Sequence, residues 1–365
     1  MDQRQGRIRG RLVASALRIL LSGPGLIGRQ HAKRIMAHPD CVLAGVVAPP
    51  IPENLEWAQS HAIHRYDTLA QALDGAKPID AVIISAPNAC HFDQTMLCIN
   101  HGLPAFVEKP VTDRLDTARQ LSEASVAKGV PILVGHHRTH SGLISVARAF
   151  LQSPDFGRLV AVQGSALFYK PAHYFAEGPW RTQIGGGPIL INLIHEIGFI
   201  RHMCGEFVRI SAIASHASRG YAVEDSVALS FELSTGALGT FLLSDTAASA
   251  NSWEMTSGEN PAYPYYPDGN CYHFAGTMGS LDFPSMQVKH YPAGTEPSWW
   301  SPFCDRRLPI ERSDPLDRQL DHFLDIIRGK AAPLVSAQDG YANMLVVDAI
   351  GHAVREGRTI TIEAA

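Results

Sequence analysis

The run Ser22-Gly23-Pro24-Gly25-Leu26-Ile27-Gly28 has the spacing G-x-G-x-x-G. It follows a short apolar stretch and opens a segment of helical period, the context in which the pattern carries meaning. Gly23 permits a tight turn, Gly25 lets backbone amides approach a pyrophosphate, and Gly28 lets helix and strand pack closely. The helix start adds partial positive charge and free N–H groups, and Pro24, Leu26 and Ile27 complete the loop around the anion. An acidic residue for a ribose 2′-hydroxyl is expected about 20 residues further on. That position is Ala48, followed by Pro49, Pro50, Ile51 and Pro52, with Glu53 or Asn54 as the available substitutes. No carboxylate there repels a 2′-phosphate and no Lys or Arg there attracts one. NAD and NADP both stay open as cofactors, NAD being the preferred of the two.

The elements around this loop set its role. Residues 18–22, 42–47, 81–85, 105–107 and 132–134 read as short buried strands. Residues 26–37, 53–61, 91–101 and 112–128 read as the helices between them. Buried strands alternating with helices indicate an α/β Rossmann domain with a parallel sheet. After about residue 140 the pattern changes. Helices are expected at 143–151 and 188–204 with a strand at 159–168 between them. Strands follow at 208–216, 223–233, 239–245, 272–276, 281–283 and 287–291. Residues 252–270 read as a loop, 316–328 and 338–356 as closing helices, and 359–362 as a last strand. This is an α+β domain with a large, mostly antiparallel open sheet. The expected organisation is an extension at 1–16, a dinucleotide-binding domain at 17–137, and a substrate and oligomerisation domain at 138–365, whose closing helices can pack back on the first domain.

Bulk properties exclude some classes. The chain has 365 residues, 45% hydrophobic and 18% charged, with a formal net charge of -4. That length favours two domains, and without a basic surplus a nucleic-acid partner is not expected. The six cysteines show no C-x-x-C pair, so neither a zinc site nor a disulfide framework is expected. Arg4, Arg7, Arg9 and Arg11 precede an apolar run from Leu12 to Leu21, but Arg18 interrupts it, which argues for an extension rather than a signal peptide. Reduced thiols suit the expectation of a cytoplasmic protein; no stretch is long enough for a membrane span, and a small-molecule partner is expected.

Three further segments carry a resemblance. They are Ala86-Pro87-Asn88-x-x-His91, Glu108-Lys109-Pro110, and Gly185-Gly186-Gly187 leading to His195. In this order and spacing the chain resembles the glucose–fructose oxidoreductase/inositol dehydrogenase (Gfo/Idh/MocA) family from about residue 17 to 362. The resemblance implies an NAD(P)-dependent oxidoreductase that moves a hydride between a nicotinamide and a secondary alcohol of a polyol, sugar, cyclitol or dihydrodiol. It places Ser85, Pro87, Asn88, His91, Glu108, Lys109 and Pro110 beside the coenzyme. It puts Lys109 near the reacting hydroxyl, aimed there by a cis peptide before Pro110, and Arg138 against the substrate. It also implies a homodimer or homotetramer formed through the open sheet.

His195 is the expected proton acceptor, since an imidazole titrates near neutral pH. The family's carboxylates four residues before and three residues after this histidine are absent, because Ile191 and Gly198 stand there. Asn192 is the substitute expected to bind substrate or orient the ring. Trp180, Arg181, Tyr169 and Lys170 are expected to line the substrate cleft. Trp253, Trp299 and Trp300, with Tyr263, Tyr265 and Tyr266, are expected in a lid or interface. Glu196 does not complete H-E-x-x-H, and the cluster His136-His137-Arg138-Thr139-His140 lacks the spacing of a metal site, so no metal is expected. Two alternatives remain: an NAD-dependent glycosidase of the same family, and a non-catalytic dinucleotide-binding protein.

Overall fold

The computed structural model describes residues 16–75 and 78–363; the expectation for the N-terminal extension lies outside these residues, apart from residue 16. The chain forms two compact units that divide after Ala86.

The first unit holds β1 (Leu17–Ser22), α1 (Leu26–Ala37), β2 (Cys41–Val47), α2 (Pro52–Ser60), β3 (Arg65–Tyr66), α3 (Leu69–Leu73) and β4 (Ala81–Ile84). Its strands lie parallel in the order β3-β2-β1-β4. Ile19, Leu20 and Leu21 of β1 and all of β4 are buried, as a strand covered on both faces must be. β3 and α3 were not expected: a two-residue strand is too short to show a period.

The second unit opens with α4 (His91–Asn100), β5 (Ala105–Val107), α5 (Leu115–Lys128) and β6 (Ile132–Val134), and β5 and β6 pair in parallel. The parallel strands and their helices are of Rossmann type. α5 starts three residues later than expected, because Arg114 keeps an extended backbone at its N-cap and its carbonyl accepts the Thr112 hydroxyl. Next come α6 (Gly142–Leu151), β7 (Leu159–Leu167), α7 (Ala172–Ala176), a π-helical turn at Ile189–Leu193, and α8 (Ile194–Cys204). Then follow β8 (Phe207–Ser215), β9 (Ser226–Leu233), β10 (Leu238–Ser244), α9 (Trp253–Thr256), β11 (Tyr272–Gly276), β12 (Gly279–Phe283), β13 (Gln287–His290) and β14 (Cys304–Arg307). The chain closes with α10 (Pro315–Ile327), α11 (Ala337–Glu356) and β15 (Ile360–Thr361).

Nine strands form one sheet in the order β14-β13-β12-β11-β7-β10-β9-β8-β15, antiparallel except for β7 with β10. Alternation in β9 and β10 buries one face. There Phe199 and Ile200 of α8, Leu143 of α6 and Ile350 of α11 share a core with Phe231, Phe241 and Phe274. The expected loop at 252–270 contains α9, and Trp253 is a core residue at 4% exposure rather than part of a lid, packed on Phe199 and Phe283. Trp299 and Trp300 are exposed.

Candidate functional site

The glycine-rich turn of the first unit fits a dinucleotide pyrophosphate. Gly23 has φ +88°, and a Cβ there would stand 2.5 Å from the Ala86 nitrogen. At Gly28 a Cβ would overlap the Gly23 carbonyl oxygen. At Gly25, the N-cap of α1, a Cβ would meet nothing within 4 Å, and no side chain caps the helix. The turn thus faces open space with first-turn amides available to an anion. The loop is pinned from behind. The Ser85 hydroxyl, expected at the coenzyme, donates to the carbonyls of Gly23 (2.7 Å) and Ser22 (3.1 Å), and Arg29 Nε donates to the Pro24 carbonyl (3.0 Å).

Ala48 at the end of β2 is buried, and its carbonyl accepts from Arg65 Nη1 (2.6 Å). The short β3 therefore brings a guanidinium to the place where the sequence showed no cation. Arg65 is also ion-paired with Asp67 (2.8 Å), and Arg29 with Glu53 (2.8 Å).

In the second unit, the Lys109–Pro110 peptide is cis, and His91 Nδ1, expected at the coenzyme, contacts the Pro110 carbonyl (2.8 Å). Glu108 lies under Gly135, where a Cβ would come 2.6 Å from its carboxylate. Lys109 Nζ donates to the Ile191 carbonyl (3.3 Å). Where the family carries an aspartate at 191, a backbone oxygen takes the ammonium. Burial above all lowers the Lys109 pKa, with Glu108 opposing.

Ile191 belongs to the π-helical turn that leads into α8 and His195. Such turns are frequent at functional sites. Gly185 (φ +92°) and Gly187 (φ +81°) carry the chain into it, and a Cβ on Gly187 would come 2.7 Å from Glu224. Glu224 accepts the Ile189 N–H (2.8 Å), which fixes the start of the turn.

His195 sits between the rings of His136 (centroids 5.8 Å) and His137 (5.6 Å). Its Nδ1 is buried and has no hydrogen-bond partner among the described residues. Burial, then the charges of Lys109 and Arg138, hold its pKa well below 6.5, so the ring is neutral at pH 7. At Gly198, the second missing carboxylate, a Cβ would stand 3.1 Å from both His136 and Asn343. That space is taken by a chain in which Arg201 donates to Asn343 (2.6 Å), whose Nδ2 lies 3.1 Å from His136 Nε2.

Two expected substrate residues are engaged otherwise. Arg138 is 4% exposed, with its guanidinium on Glu196 (2.6 Å) and Glu254 (2.5 Å) and over the Trp253 ring (5.2 Å). It is an internal ion-pair hub and presents no free fork to a ligand. Asn192, expected to bind substrate or orient His195, accepts from Lys170 Nζ (2.6 Å). Trp180 is half exposed, and Arg181 lies between Trp180 and Tyr174. The histidines of 136–140 diverge: His140 faces His322 (5.1 Å). Among the described residues no group of three or more His, Cys, Asp or Glu is placed to hold a metal.

Sequence reasoning missed Glu254, Tyr272, Arg219 and Asp245. Tyr272 donates to Glu196, and Arg219 binds Asp245 (2.8 Å). Asp245 and Tyr272 left a trace only as the ends of the expected strands 239–245 and 272–276, with no sign of their partners.

Comparison with known proteins agrees with this architecture. Residues 17–136 match the model of an oxidoreductase family with an NAD-binding Rossmann fold, and residues 144–282 match the GFO/IDH/MocA C-terminal domain. The chain is 25% identical over 311 residues to a 1,5-anhydro-D-fructose reductase of Ensifer adhaerens, covering 84% of this chain and 87% of the relative. It is 23% identical over 358 residues to a scyllo-inositol 2-dehydrogenase (NAD(+)) of Bacillus subtilis (strain 168), covering 95% and 96%. A levoglucosan dehydrogenase solved with NADH and levoglucosan superposes with a TM-score of 0.77 at 18% identity, over 96% of this chain and all of that one. The WlbA dehydrogenase of Bordetella pertussis, solved with NADH and UDP-GlcNAcA, gives 0.75 at 19%, over 96% and 100%. The glycine cradle, the Glu-Lys-Pro turn and the two matched domains together make this chain a member of the Gfo/Idh/MocA family of NAD(P)-binding oxidoreductases.

Proposed function

We propose that the protein is a dehydrogenase that oxidises a secondary alcohol of a small sugar- or cyclitol-like substrate. The observation that carries the reading is the convergence of a half-buried ammonium, Lys109, and a neutral imidazole with an orphaned nitrogen, His195, on one π-helical turn and the helix that follows it. A bound nicotinamide would supply the hydride chemistry. The chain supplies the rest. Gly23, Gly25 and Gly28 hold the pyrophosphate. Lys109 donates to the alcohol oxygen and stabilises negative charge as it develops. His195, neutral at pH 7, takes the hydroxyl proton. Pro87 and Asn88, which open the 3-10 turn before α4, belong to the coenzyme side of this reading.

NAD is the coenzyme of choice in this reading. Both guanidiniums near the end of β2 already hold a carboxylate, and Glu53 is 72% exposed at its side chain and available to a ribose hydroxyl. We further assign a homo-oligomeric contact to the sheet face, where Ile213 (78%), Leu238 (62%) and Leu242 (46%) are exposed beside a groove lined by Val162, Arg209, Phe231 and Thr240.

The test is the appearance of reduced coenzyme when the purified protein meets NAD or NADP and a panel of sugars, cyclitols and their acids. Turnover with at least one member is expected, and Lys109→Met should lower it by ~100-fold or more. Binding of coenzyme without turnover, or net hydrolysis of a glycoside without reduced coenzyme, would refute the dehydrogenase reading.

A further inference from the structure

A second ammonium stands beside the first, and the proton chemistry does not use it. Lys170 follows β7, with its side chain 12% exposed. Its Nζ donates to Asn192 Oδ1 (2.6 Å), the residue after the one whose carbonyl holds Lys109. Two lysines therefore grip successive residues of the turn that leads to His195. Lys170 also lies 4.9 Å from the Tyr174 ring centroid and 5.6 Å from that of Phe168.

Among the described residues the carboxylate ion-paired with Lys170 is Asp245, 3.7 Å away and beyond hydrogen-bond distance. Asp245 is already held by Arg219 Nε at 2.8 Å, and Arg219 also binds the backbone carbonyls of Asp245 and Lys170. Arg181 stacks 4.0 Å from the centroid of the Tyr174 ring and donates to the Tyr174 carbonyl. Lys170 thus has one partly committed carboxylate and three cations, Arg181, Arg219 and Lys109, within electrostatic reach. Burial first, and then these cations, push the Lys170 pKa down to about 8 against the pull of Asp245. The other acid of this region, Glu224, caps the π-helical turn, and burial raises its pKa. Among the described residues Lys170 has one hydrogen-bond acceptor, Asn192, for three N–H donors. A neutral polyol would need donors and acceptors in balance. This region offers donors and positive charge in excess.

We infer that the substrate is an anion: a hydroxy acid of sugar or cyclitol type whose carboxylate is received by Lys170 and Arg181. The assignment rests on the dehydrogenase reading for which alcohol is oxidised, but not for which group is bound. Charge-assisted hydrogen bonds of this kind discriminate by about 10- to 100-fold.

The experiment compares matched pairs, D-gluconate with sorbitol and D-glucuronate with D-glucose, by calorimetry at saturating NAD and by coenzyme reduction. The acid of at least one pair is expected to bind at least ~10-fold more tightly than its neutral partner. Lys170→Met should bring that ratio to within about threefold of unity, and Arg181→Gln should lower it. A lysine that merely props Asn192 would weaken both members of a pair alike, and that result overturns the inference. So does a neutral partner that binds as well as the acid, a phosphate ester that binds better than either, or failure of every acid to bind. The wild-type ratios need no variant, so a misfolded substitution leaves the test intact. Acids that bind through Lys170 and never reduce coenzyme would sink the dehydrogenase reading alone. Turnover of neutral polyols with no preference for acids would sink the anion alone.

Discussion

Acidification should destabilise this fold at a pH where buried histidines, rather than ordinary surface carboxylates, take up protons on unfolding. His136, His137 and His140 lie on one short segment after β6, and burial lowers their pKa values from 6.5 to about 3, about 4 and about 3. In the native chain these rings stay neutral at pH 5, whereas in the unfolded chain they are protonated. The unfolded state therefore binds more protons between the native values and 6.5, so stability is complete above 6.5 and is lost as pH falls below it. From pH 7.5 to 5.0 each ring costs ~2 kcal/mol, ~6 kcal/mol for three. Glu259 works the other way. Burial raises its pKa to about 7, so protonating the native carboxyl over the same interval returns ~2 kcal/mol. His195, held well below 6.5, has the sign of the other histidines. His202, lowered by burial to about 4, adds to the loss, so the balance is a loss of at least ~4 kcal/mol, a large part of a typical domain's stability of about 5–15 kcal/mol. Denaturant titration at pH 7.5 and 5.0 measures the loss. Potentiometry on unfolding at pH 5.5 should find net proton uptake, because His136, His137, His140, His195 and His202 each gain a proton while Glu259 releases one. Equal stability at the two pH values, or net proton release, would refute the assignment of neutral buried rings.

Four other outcomes follow from single residues. Gly25→Val should leave the unfolding midpoint nearly unchanged, because the new side chain enters open space, yet abolish coenzyme binding in a fluorescence titration; retained binding would place the pyrophosphate elsewhere. Arg138→Met should cost ~3–5 kcal/mol in denaturant titration, because it leaves Glu196 and Glu254 without their shared cation; a cost below ~1 kcal/mol would show that the guanidinium is not the hub. His195→Gln should lower turnover by ~10²–10⁴-fold. The wild-type profile for alcohol oxidation should show no acid limb near pH 6.5, because the depressed pKa keeps the ring neutral there; a limb at 6.5 would mean an unshifted base.

Repetitive pattern made much of the fold legible. β5, β6 and β11 fall on the expected residues, because each is a short apolar run between polar turns. β3 has two residues and β14 is exposed along its whole length, so neither carries a period to read. The same limit hid Arg65, which reaches Ala48 only because β3 exists. Trp253 was misjudged because Gly, Pro and Tyr around it suggested a loop, whereas its indole packs against the touching rings of Phe199 and Phe283. Lys109 and His195 were readable because each stands in a local motif. The partners of Arg138 were not: Glu196 and Glu254 are 58 and 116 residues away, and no spacing rule joins them.

The two missing carboxylates connect these observations. An aspartate at 191 or 198 would have added negative charge next to Lys109 and His195. At 191 the chain offers a carbonyl to Lys109, and at 198 the absent side chain leaves room for the His136–Asn343 contact. Neither replacement carries charge. The substitutions therefore shift the electrostatics of the turn toward positive, and the pKa values of His136, His195 and Lys170 are all depressed in part by Lys109. A site in that state is poorly matched to a neutral ligand and well matched to one that brings its own negative charge. The absence of carboxylates at 191 and 198 is therefore what the proposed anionic substrate would complement, with Lys109 and His195 in the roles proposed for them.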